Sequence, residues 1–181
     1  KWTIVRFGHT STGVENAPAP ASGRGLECDK LSREGIEANF NGMMGKLFED
    51  VGPLAGKALI STHIDSWENG AQNWTARMRE EFQNRRGYDL MPFLPVMTGR
   101  VVDSHEISER FLWDLRQTIS DLIAENYAGG LRELSAKYGA RSVGRCSWRV
   151  WLRACWRNIC WTEAAATRRR PFCMRWQWRA L

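Results

Sequence analysis

The sequence predicts an α/β fold in which βα units surround a parallel sheet. Patterns typical of a strand, a helix, a strand, several helices and a further strand follow one another in that order. The segments between the predicted strands are long enough for helical crossovers. Two polar loops directly follow predicted strands, and α/β folds of this kind collect their chemistry at the carboxyl ends of strands.

The sequence predicts a strand and a long loop at the start of the chain. Residues 2–7 alternate bulky and polar side chains, which predicts a strand. Residues 8–30 form a loop rich in Gly, Pro, Ser and Thr, and loops of that length are uncommon in compact domains unless they carry function. Ser32 is the predicted N-cap of a helix over residues 33–50. The apolar side chains expected on one face of this helix are Ile36, Phe40, Met43, Met44 and Leu47.

A second strand and a second polar loop follow. Residues 57–64 form a short apolar run rich in β-branched residues, which predicts a strand buried on both faces. The polar, aromatic segment 65–75 comes directly after it. Thr75 is placed to cap a charged helix that reaches about Arg85.

The clearest helix begins at a capping-box pattern of Asp103 and Glu106. We expect it to bend at Gly129-Gly130 and to end at Gly139. Residues 140–143 then predict the start of another strand. The apolar face of the helix comprises Ile107, Phe111, Leu115, Ile119, Leu122, Tyr127, Leu131, Leu134 and Tyr138.

The charge of the chain is concentrated in its last 40 residues. The whole chain of 181 residues has a net charge of +6, but residues 1–141 hold 17 Lys and Arg against 19 Asp and Glu. Residues 142–181 hold nine Arg, no Lys and one acid, Glu163, together with six of the ten Trp and four of the five Cys. This change predicts a folded unit over 1–141 and an atypical basic tail over 142–181.

With 43% hydrophobic residues and no long apolar run, the composition excludes a disordered chain, a membrane-spanning protein and a small disulfide scaffold.

The strongest candidate for chemistry is Glu68, a carboxylate just past a predicted strand. A glycosidase needs a carboxylic acid that stays protonated until it donates to the leaving oxygen, and an aromatic, apolar environment raises the pKa of a carboxyl for that role. Trp67 and Trp74 could form that environment or stack on a sugar. Asp65 and Asn73 could bind sugar hydroxyls. The alternative is a polar loop whose acids cap helices and whose Trp residues pack in the interior.

Other candidates are weaker. Asp29 and Lys30 end the first loop, where they could line the same pocket or form the N-terminal turn of the next helix. The spacing of His63, Asp65 and Glu68 is compatible with a metal, although a buried, hydrogen-bonded histidine is the commoner arrangement. No cysteine pair has the spacing of a zinc site.

Five blocks of the sequence resemble a known family. They are WTIVRFGHTSTG, GRGLECDKLS, IDSWENGAQNWT, EEFQNRRGYDLMPFLPVMTGRVV and SERFLWDLRQTISDLIAENY. In this order they resemble the catalytic domain of the α-L-rhamnosidases of glycoside hydrolase family 106, over about residues 2–141.

The resemblance implies a partial (β/α)8 barrel of two to three βα units, and inverting hydrolysis of terminal α-L-rhamnose from a glycoside or polysaccharide. It implies Glu68 as general acid, with Asp65, Trp67, Asn73 and Trp74 around the sugar. Asp29 and Lys30 are implied to contribute from the preceding loop. Calcium is implied as an aid to sugar binding, with its ligands unknown.

Two features depart from the family pattern. A full barrel takes about 250 residues, and the second carboxylate of an inverting enzyme, its base, is expected on a later strand beyond this chain. After Arg141 the expected strand gives way to the Arg/Trp/Cys tail. We therefore expect an inactive fragment whose tail is either read out of frame or an artefact of fragmentary gene calling, a hypothesis that sequencing of the DNA would test.

Two other functions remain open at this point. The tail could be a cationic module that binds nucleic acid or an anionic membrane through Arg charge and Trp contacts, although the rhamnosidase interpretation predicts neither a nucleic-acid partner nor a membrane span. A non-catalytic, carbohydrate-binding relative would keep the aromatic residues without the acid–base pair. The sequence shows no signal peptide and leaves the compartment open, with secretion or the periplasm as options for a parent protein.

Overall fold

A computed structural model of the chain describes residues 4–65 and 70–144. Its α-helices are α1 (Arg33–Phe40), α2 (Lys46–Val51), α3 (Met78–Arg86), α4 (His105–Leu122) and α5 (Gly130–Ala136), and its strands are β1 (Ser61–Ile64) and β2 (Arg141–Gly144). One π-helical turn, Asn41–Gly45, joins α1 to α2, and another, Ile123–Gly129, joins α4 to α5. Short 3₁₀ helices cover Ala21–Gly23, Gly52–Leu54 and Met91–Thr98.

The two strands pair in parallel, with Ser61 opposite Arg141 and Ile64 opposite Gly144. The crossover between them contains α3, α4 and α5, as parallel pairing requires. The predicted mixture of helices and parallel strands is thus confirmed for the part that the structure describes. Two strands do not make a barrel, and the partial barrel stays a prediction.

The strand predicted to start at residues 140–143 is present as β2, so the expectation that the strand is lost after Arg141 is wrong for the described residues. Its continuation from residue 145 lies outside the described residues. The sheet is covered on one face. Thr62 is buried, and its hydroxyl shares a 2.8 Å hydrogen bond with the Ser135 hydroxyl of α5. On the other face His63 and Val143, which pair in register, are both exposed. Within the described residues, the prediction of a strand buried on both faces is therefore wrong. The expectation that His63 is buried is also wrong.

The helices enclose two hydrophobic clusters. The first lies between α3, the 3₁₀ segment Met91–Thr98 and α4, and it includes Phe82 and Phe111. The second lies between α1, α2 and α5. The half-buried Tyr127 packs against both clusters, so its π turn lies where they meet.

The predicted first helix forms, but the residues on its buried face differ from those predicted after the π turn. Ser32 caps α1 as predicted, since its hydroxyl accepts a 3.0 Å hydrogen bond from the Gly35 amide. The π turn then adds to the residues per turn and shifts the face. As a result Phe48 is buried, whereas Met43 and Leu47 are 63% and 41% exposed. The prediction that Met43 and Leu47 belong to the core face is wrong for this reason.

The cap of the long helix lies one residue after the predicted one. Ser104 is the N-cap, and its hydroxyl accepts a 3.1 Å hydrogen bond from the Ile107 amide. Asp103 instead has a positive φ of 58°. Ile107 is 43% exposed, so the buried face begins at Ser108 and Phe111.

Two other sequence predictions fail locally. Residues 4–7 form no strand, and among them Ile4 is 94% exposed while Phe7 packs against the first cluster. Thr75 does not cap α3, which begins at Met78 after the N-cap residue Arg77, whose side chain makes no capping hydrogen bond. The Thr75 hydroxyl is used elsewhere, as described below.

Gly35 permits a close approach between α1 and the end of the first loop. A Cβ at this position would lie 2.5 Å from the carbonyl oxygen of Asp29, whereas a Cβ on Gly42 would meet nothing within 4 Å. We predict that Gly35→Ala lowers the free energy of unfolding by about 1–3 kcal/mol, because backbone must shift to admit the methyl group. Gly42→Ala, the matched control, should be neutral or stabilise by up to about 1 kcal/mol. Urea unfolding followed by circular dichroism measures both, and equal effects would contradict this account of Gly35.

Candidate functional site

The first loop folds back on itself before it reaches the helices. Glu15 and Leu26 form an isolated antiparallel bridge. The Asn16 side chain donates to the Gly23 carbonyl at 2.9 Å and accepts from the Gly25 amide at 2.8 Å. These contacts fix the course of the loop just before residues 27–31, which lead into α1.

Residues 28–31 and 72–75 contact each other directly, and we call this contact the loop junction. The Gln72 side chain accepts a hydrogen bond from the Lys30 amide at 3.0 Å and donates one to the Cys28 carbonyl at 2.8 Å. The Thr75 hydroxyl donates to the Asp29 carboxylate at 2.6 Å. The two loops that the sequence placed after separate strands are therefore joined.

Asp29 uses both carboxylate oxygens within the protein. Oδ2 accepts from Thr75, and Oδ1 accepts from the Leu31 amide at 2.9 Å. The second bond closes a tight turn just before α1, an arrangement typical of aspartate at the start of a helix. Asp29 is thus a structural link between the loops in this conformation.

Lys30 is buried, with 5% of its surface exposed. Its ammonium lies 2.5 Å from the Glu27 carboxylate, and both side chains are nearly inaccessible to solvent. The same ammonium lies 5.7 Å from the centre of the Tyr127 ring. Buried pairs of this kind are costly to break, because removal of one partner leaves the other charge unpaired.

Two titratable neighbours respond to the same burial. Burial raises the pKa of the Cys28 thiol from 9.0 to about 11, an effect that Lys30 partly opposes. Burial also raises the pKa of Tyr127 to about 12, and the nearby Cys28 and Glu27 add to the increase. Both groups are therefore neutral at physiological pH.

The residues predicted to line a sugar pocket are spread around the junction. Trp74 is half-buried, packs against the first cluster and stacks with His9 at a ring-centre distance of 6.2 Å. Asn73 is half-buried beside it, and Asp65 is exposed directly after β1. Glu68 and Trp67 lie outside the described residues, as do Ser66 and Asn69.

Sequence reasoning missed three side chains that the structure brings to this site: His9, Gln72 and Asn126. Gln72 lies within the polar segment that the sequence singled out, but no spacing relates it to residues 28 and 30. Asn126, on the second π turn, donates to the Leu31 carbonyl at 2.7 Å. A π turn is hard to foresee from helical periodicity, which assumes a constant 3.6 residues per turn.

No group of three or more His, Cys, Asp or Glu side chains within residues 4–65 and 70–144 is arranged to hold a metal ion. None of the helices in this part of the chain is long and apolar enough to cross a membrane.

The Thr75 hydroxyl offers a test of the loop junction. We predict that Thr75→Val, which keeps the shape but removes the donor, lowers the free energy of unfolding by about 1–3 kcal/mol, because a partly buried carboxylate loses a partner. Thr75→Ser, which keeps the hydroxyl, should lose clearly less. Thermal and urea unfolding measure both. If the valine variant were as stable as the serine variant, the bond to Asp29 would have no stabilising role.

The Cys28 thiol offers a test by pH. Because the thiolate is the reactive form, a pKa near 11 instead of 9.0 lowers the thiolate fraction at pH 8 by about a hundredfold. We therefore predict that iodoacetamide modifies Cys28 far more slowly in the native chain than in urea, as followed by mass spectrometry of its peptide.

The same shift predicts a loss of stability in alkali. The native state holds the thiol proton more tightly than the unfolded state, so this contribution is complete below pH 9 and is lost as the pH rises toward 11. Cys28→Ala should flatten the fall in the free energy of unfolding over that range. An unchanged slope in the alanine variant would contradict the assignment.

Comparisons with known proteins identify the family. The family model described as alpha-L-rhamnosidase, of glycoside hydrolase family 106, matches residues 1–148. A curated protein of Formosa agariphila, named "Putative beta-glucuronidase", is 45% identical over 141 residues, which are 78% of this chain and 12% of that protein. The solved structure of a rhamnosidase from Novosphingobium sp. PP1Y superposes with a TM-score of 0.68 at 38% identity, over 73% of this chain and 13% of that one.

The chain thus spans only 12–13% of the length of these relatives. The family match nevertheless covers most of the chain, and the described fold agrees with that of a rhamnosidase. The chain belongs to the alpha-L-rhamnosidase family, glycoside hydrolase family 106.

Proposed function

We propose that this chain forms the acid-bearing part of an inverting α-L-rhamnosidase domain, with Glu68 as general acid. The loop junction is the observation that carries the proposal. It holds the end of segment 65–75, which follows β1 in the sequence, against residues 28–31. The carboxyl ends of parallel strands are the usual place for catalytic groups in α/β folds.

The acid works by giving its proton to the glycosidic oxygen as the bond to the sugar breaks. For this role Glu68 has to stay protonated near neutral pH, and the neighbouring Trp67 and Trp74 supply an apolar surface of the kind that raises the pKa of a carboxyl group. Protonation of the leaving group lets it depart as a neutral alcohol. Correct placement of the acid relative to that oxygen is therefore the main requirement on this segment.

The sugar contacts in this proposal come from both sides of the junction. Trp67 and Trp74 offer aromatic faces to the apolar side of the ring, while Asp65 and Asn73 bind hydroxyl groups. Asp29 and Lys30 support the pocket from the first loop. Both carry interactions inside the protein, so their contribution is to fix the wall of the pocket.

The charge balance of the junction favours a neutral sugar. One relative is named for glucuronide cleavage, and a glucuronide carries a carboxylate that needs a cation. Lys30 is the one cation among residues 27–31 and 70–75, and Glu27 already neutralises it at 2.5 Å. Rhamnose, which has a methyl group in place of that carboxylate, requires no such partner.

The base of the proposed inverting reaction lies outside this chain. An inverting enzyme holds its two carboxyl groups about 6.5–9.5 Å apart to admit water. The relatives are about eight times as long as the matched segment, as the shares of 12% and 13% show. We place the base in the remainder of such a domain.

The described residues do not fit a calcium site by themselves. They contain no suitable cluster of three ligand side chains, and Asp29 has both oxygens engaged by protein donors. Calcium remains an expectation from the family, and no step proposed here passes through it. The cationic tail module lies outside the described residues, and no observation favours it or a non-catalytic sugar-binding role over the rhamnosidase.

The acid role of Glu68 is tested in a full-length family member through its corresponding glutamate. We predict that the change equivalent to Glu68→Gln lowers kcat on an alkyl α-L-rhamnoside by about 10²–10⁴-fold, because the leaving alkoxide then departs unprotonated. On 2,4-dinitrophenyl α-L-rhamnoside, whose leaving group needs no proton, the loss should be much smaller.

The control is the change equivalent to Glu49→Gln at an exposed position of α2, which should leave both rates unchanged. Assay of the unmodified enzyme on 4-nitrophenyl β-D-glucuronide tests the sugar specificity, and we expect no hydrolysis of this substrate. Equal losses on the two rhamnosides would remove Glu68 as the acid, and preference for the glucuronide would overturn the substrate.

A further inference from the structure

The side chain of Gln72 makes the two hydrogen bonds that a residue of a neighbouring parallel strand would make through its backbone. It accepts from the Lys30 amide and donates to the Cys28 carbonyl, which are the groups on either side of Asp29. In a parallel sheet a residue makes the same pair of bonds to the residues before and after the one it faces. One amide side chain thus satisfies the backbone of a segment that belongs to no strand.

Other contacts fix the ends of the same segment. Thr75 binds the Asp29 carboxylate, and Asn126 binds the Leu31 carbonyl. The backbone or side chain of each residue from 28 to 31 is therefore held by a group distant in sequence. Removal of the Gln72 side chain would break the bonds to the Lys30 amide and the Cys28 carbonyl, while the bond from Thr75 to Asp29 would remain.

The position of Gln72 along the second loop matters. Thr75 lies next to α3, while Gln72 lies three residues closer to Glu68. Gly70, between Glu68 and Gln72 in the sequence, has a positive φ of 66°. The bonds of Gln72 thus hold the second loop against residues 28–30 at a position three residues closer in sequence to Glu68 than the bond of Thr75.

We propose that Gln72 is a positioning residue of the proposed glycosidase site, which fixes residues 70–75 of the second loop against the Cys28–Lys30 wall. It acts through the backbone and makes no contact with the sugar. This inference rests on the proposed function for its catalytic consequence, but its geometric core can be measured independently.

The geometric test uses the 181-residue chain and three variants. Gln72→Leu removes both hydrogen bonds, and Gln72→Glu keeps the acceptor for Lys30 but loses the donor to Cys28. Gln83→Leu, on an exposed position of α3, is the matched control. We expect hydrogen exchange of the Lys30 amide to speed up at least about tenfold in Gln72→Leu and less in Gln72→Glu, with exchange in α4 unchanged.

The catalytic test uses a full-length family member that has glutamine at the corresponding position. We expect the leucine change to lower kcat by about ten- to a hundredfold, as small misplacements of catalytic groups do, with a smaller change in KM and in Tm. The glutamate variant should recover part of kcat.

The outcomes separate the two ideas. Unchanged Lys30 exchange in Gln72→Leu overturns the placement role, whatever the kinetics. Faster exchange with unchanged kcat makes Gln72 structural only and also overturns it. If the unmodified enzyme cleaves no rhamnoside, the proposed function fails instead, while exchange still decides whether Gln72 fixes the loop.

Discussion

The hydrogen bond from Thr75 to the Asp29 carboxylate joins two loops that are 46 residues apart in the chain. Its acceptor is a carboxylate in a partly buried place, and bonds to charged acceptors are roughly twice as strong as neutral ones. The neutral bonds of Gln72 to Lys30 and Cys28 lie on either side of Asp29 along the same segment. Together these bonds fix residues 72–75 against the end of the first loop.

The second π turn brings the helices to the same place. Three consecutive residues on it reach different partners: Glu125 binds Arg85 of α3 through two hydrogen bonds, Asn126 binds the Leu31 carbonyl, and Tyr127 lies under Lys30. The Arg85 bonds hold the pKa of Glu125 below its usual range. Because Tyr127 also packs against both hydrophobic clusters, the site is attached to the core as a whole. Such π turns often mark functional sites, because they redirect side chains that a regular helix would point elsewhere.

The sequence predicted correctly the features that depend mainly on neighbouring residues or on the order of the elements. Ser32 caps α1, Gly139 adopts a positive φ after the long helix, and the two strands pair in parallel. Predictions failed where a distant group competes. Thr75 could cap a helix or bind Asp29, and only the folded chain shows that the carboxylate wins. Met43 and Leu47 fit a regular helical face, and the π turn before α2 removes that regularity. Gln72 carries no sequence signal, since its partners are backbone groups more than 40 residues away.

The loop junction makes its hydrogen bonds within the described chain, whereas the two-stranded sheet has one exposed face. At the junction the polar groups of residues 28–31 find partners within the described chain. The sheet, by contrast, has two described strands and leaves His63 and Val143 exposed on one face. Parallel sheets are normally covered on both faces, and small ones gain little stability alone. In the proposed mechanism this difference has a consequence for the two carboxyl groups. The loop of the proposed acid is held at residues 72–75 by contacts that this chain makes by itself, whereas the proposed base depends on whatever completes the sheet. The distance between them, and so the room for the attacking water, is then set by the sheet that joins the two parts.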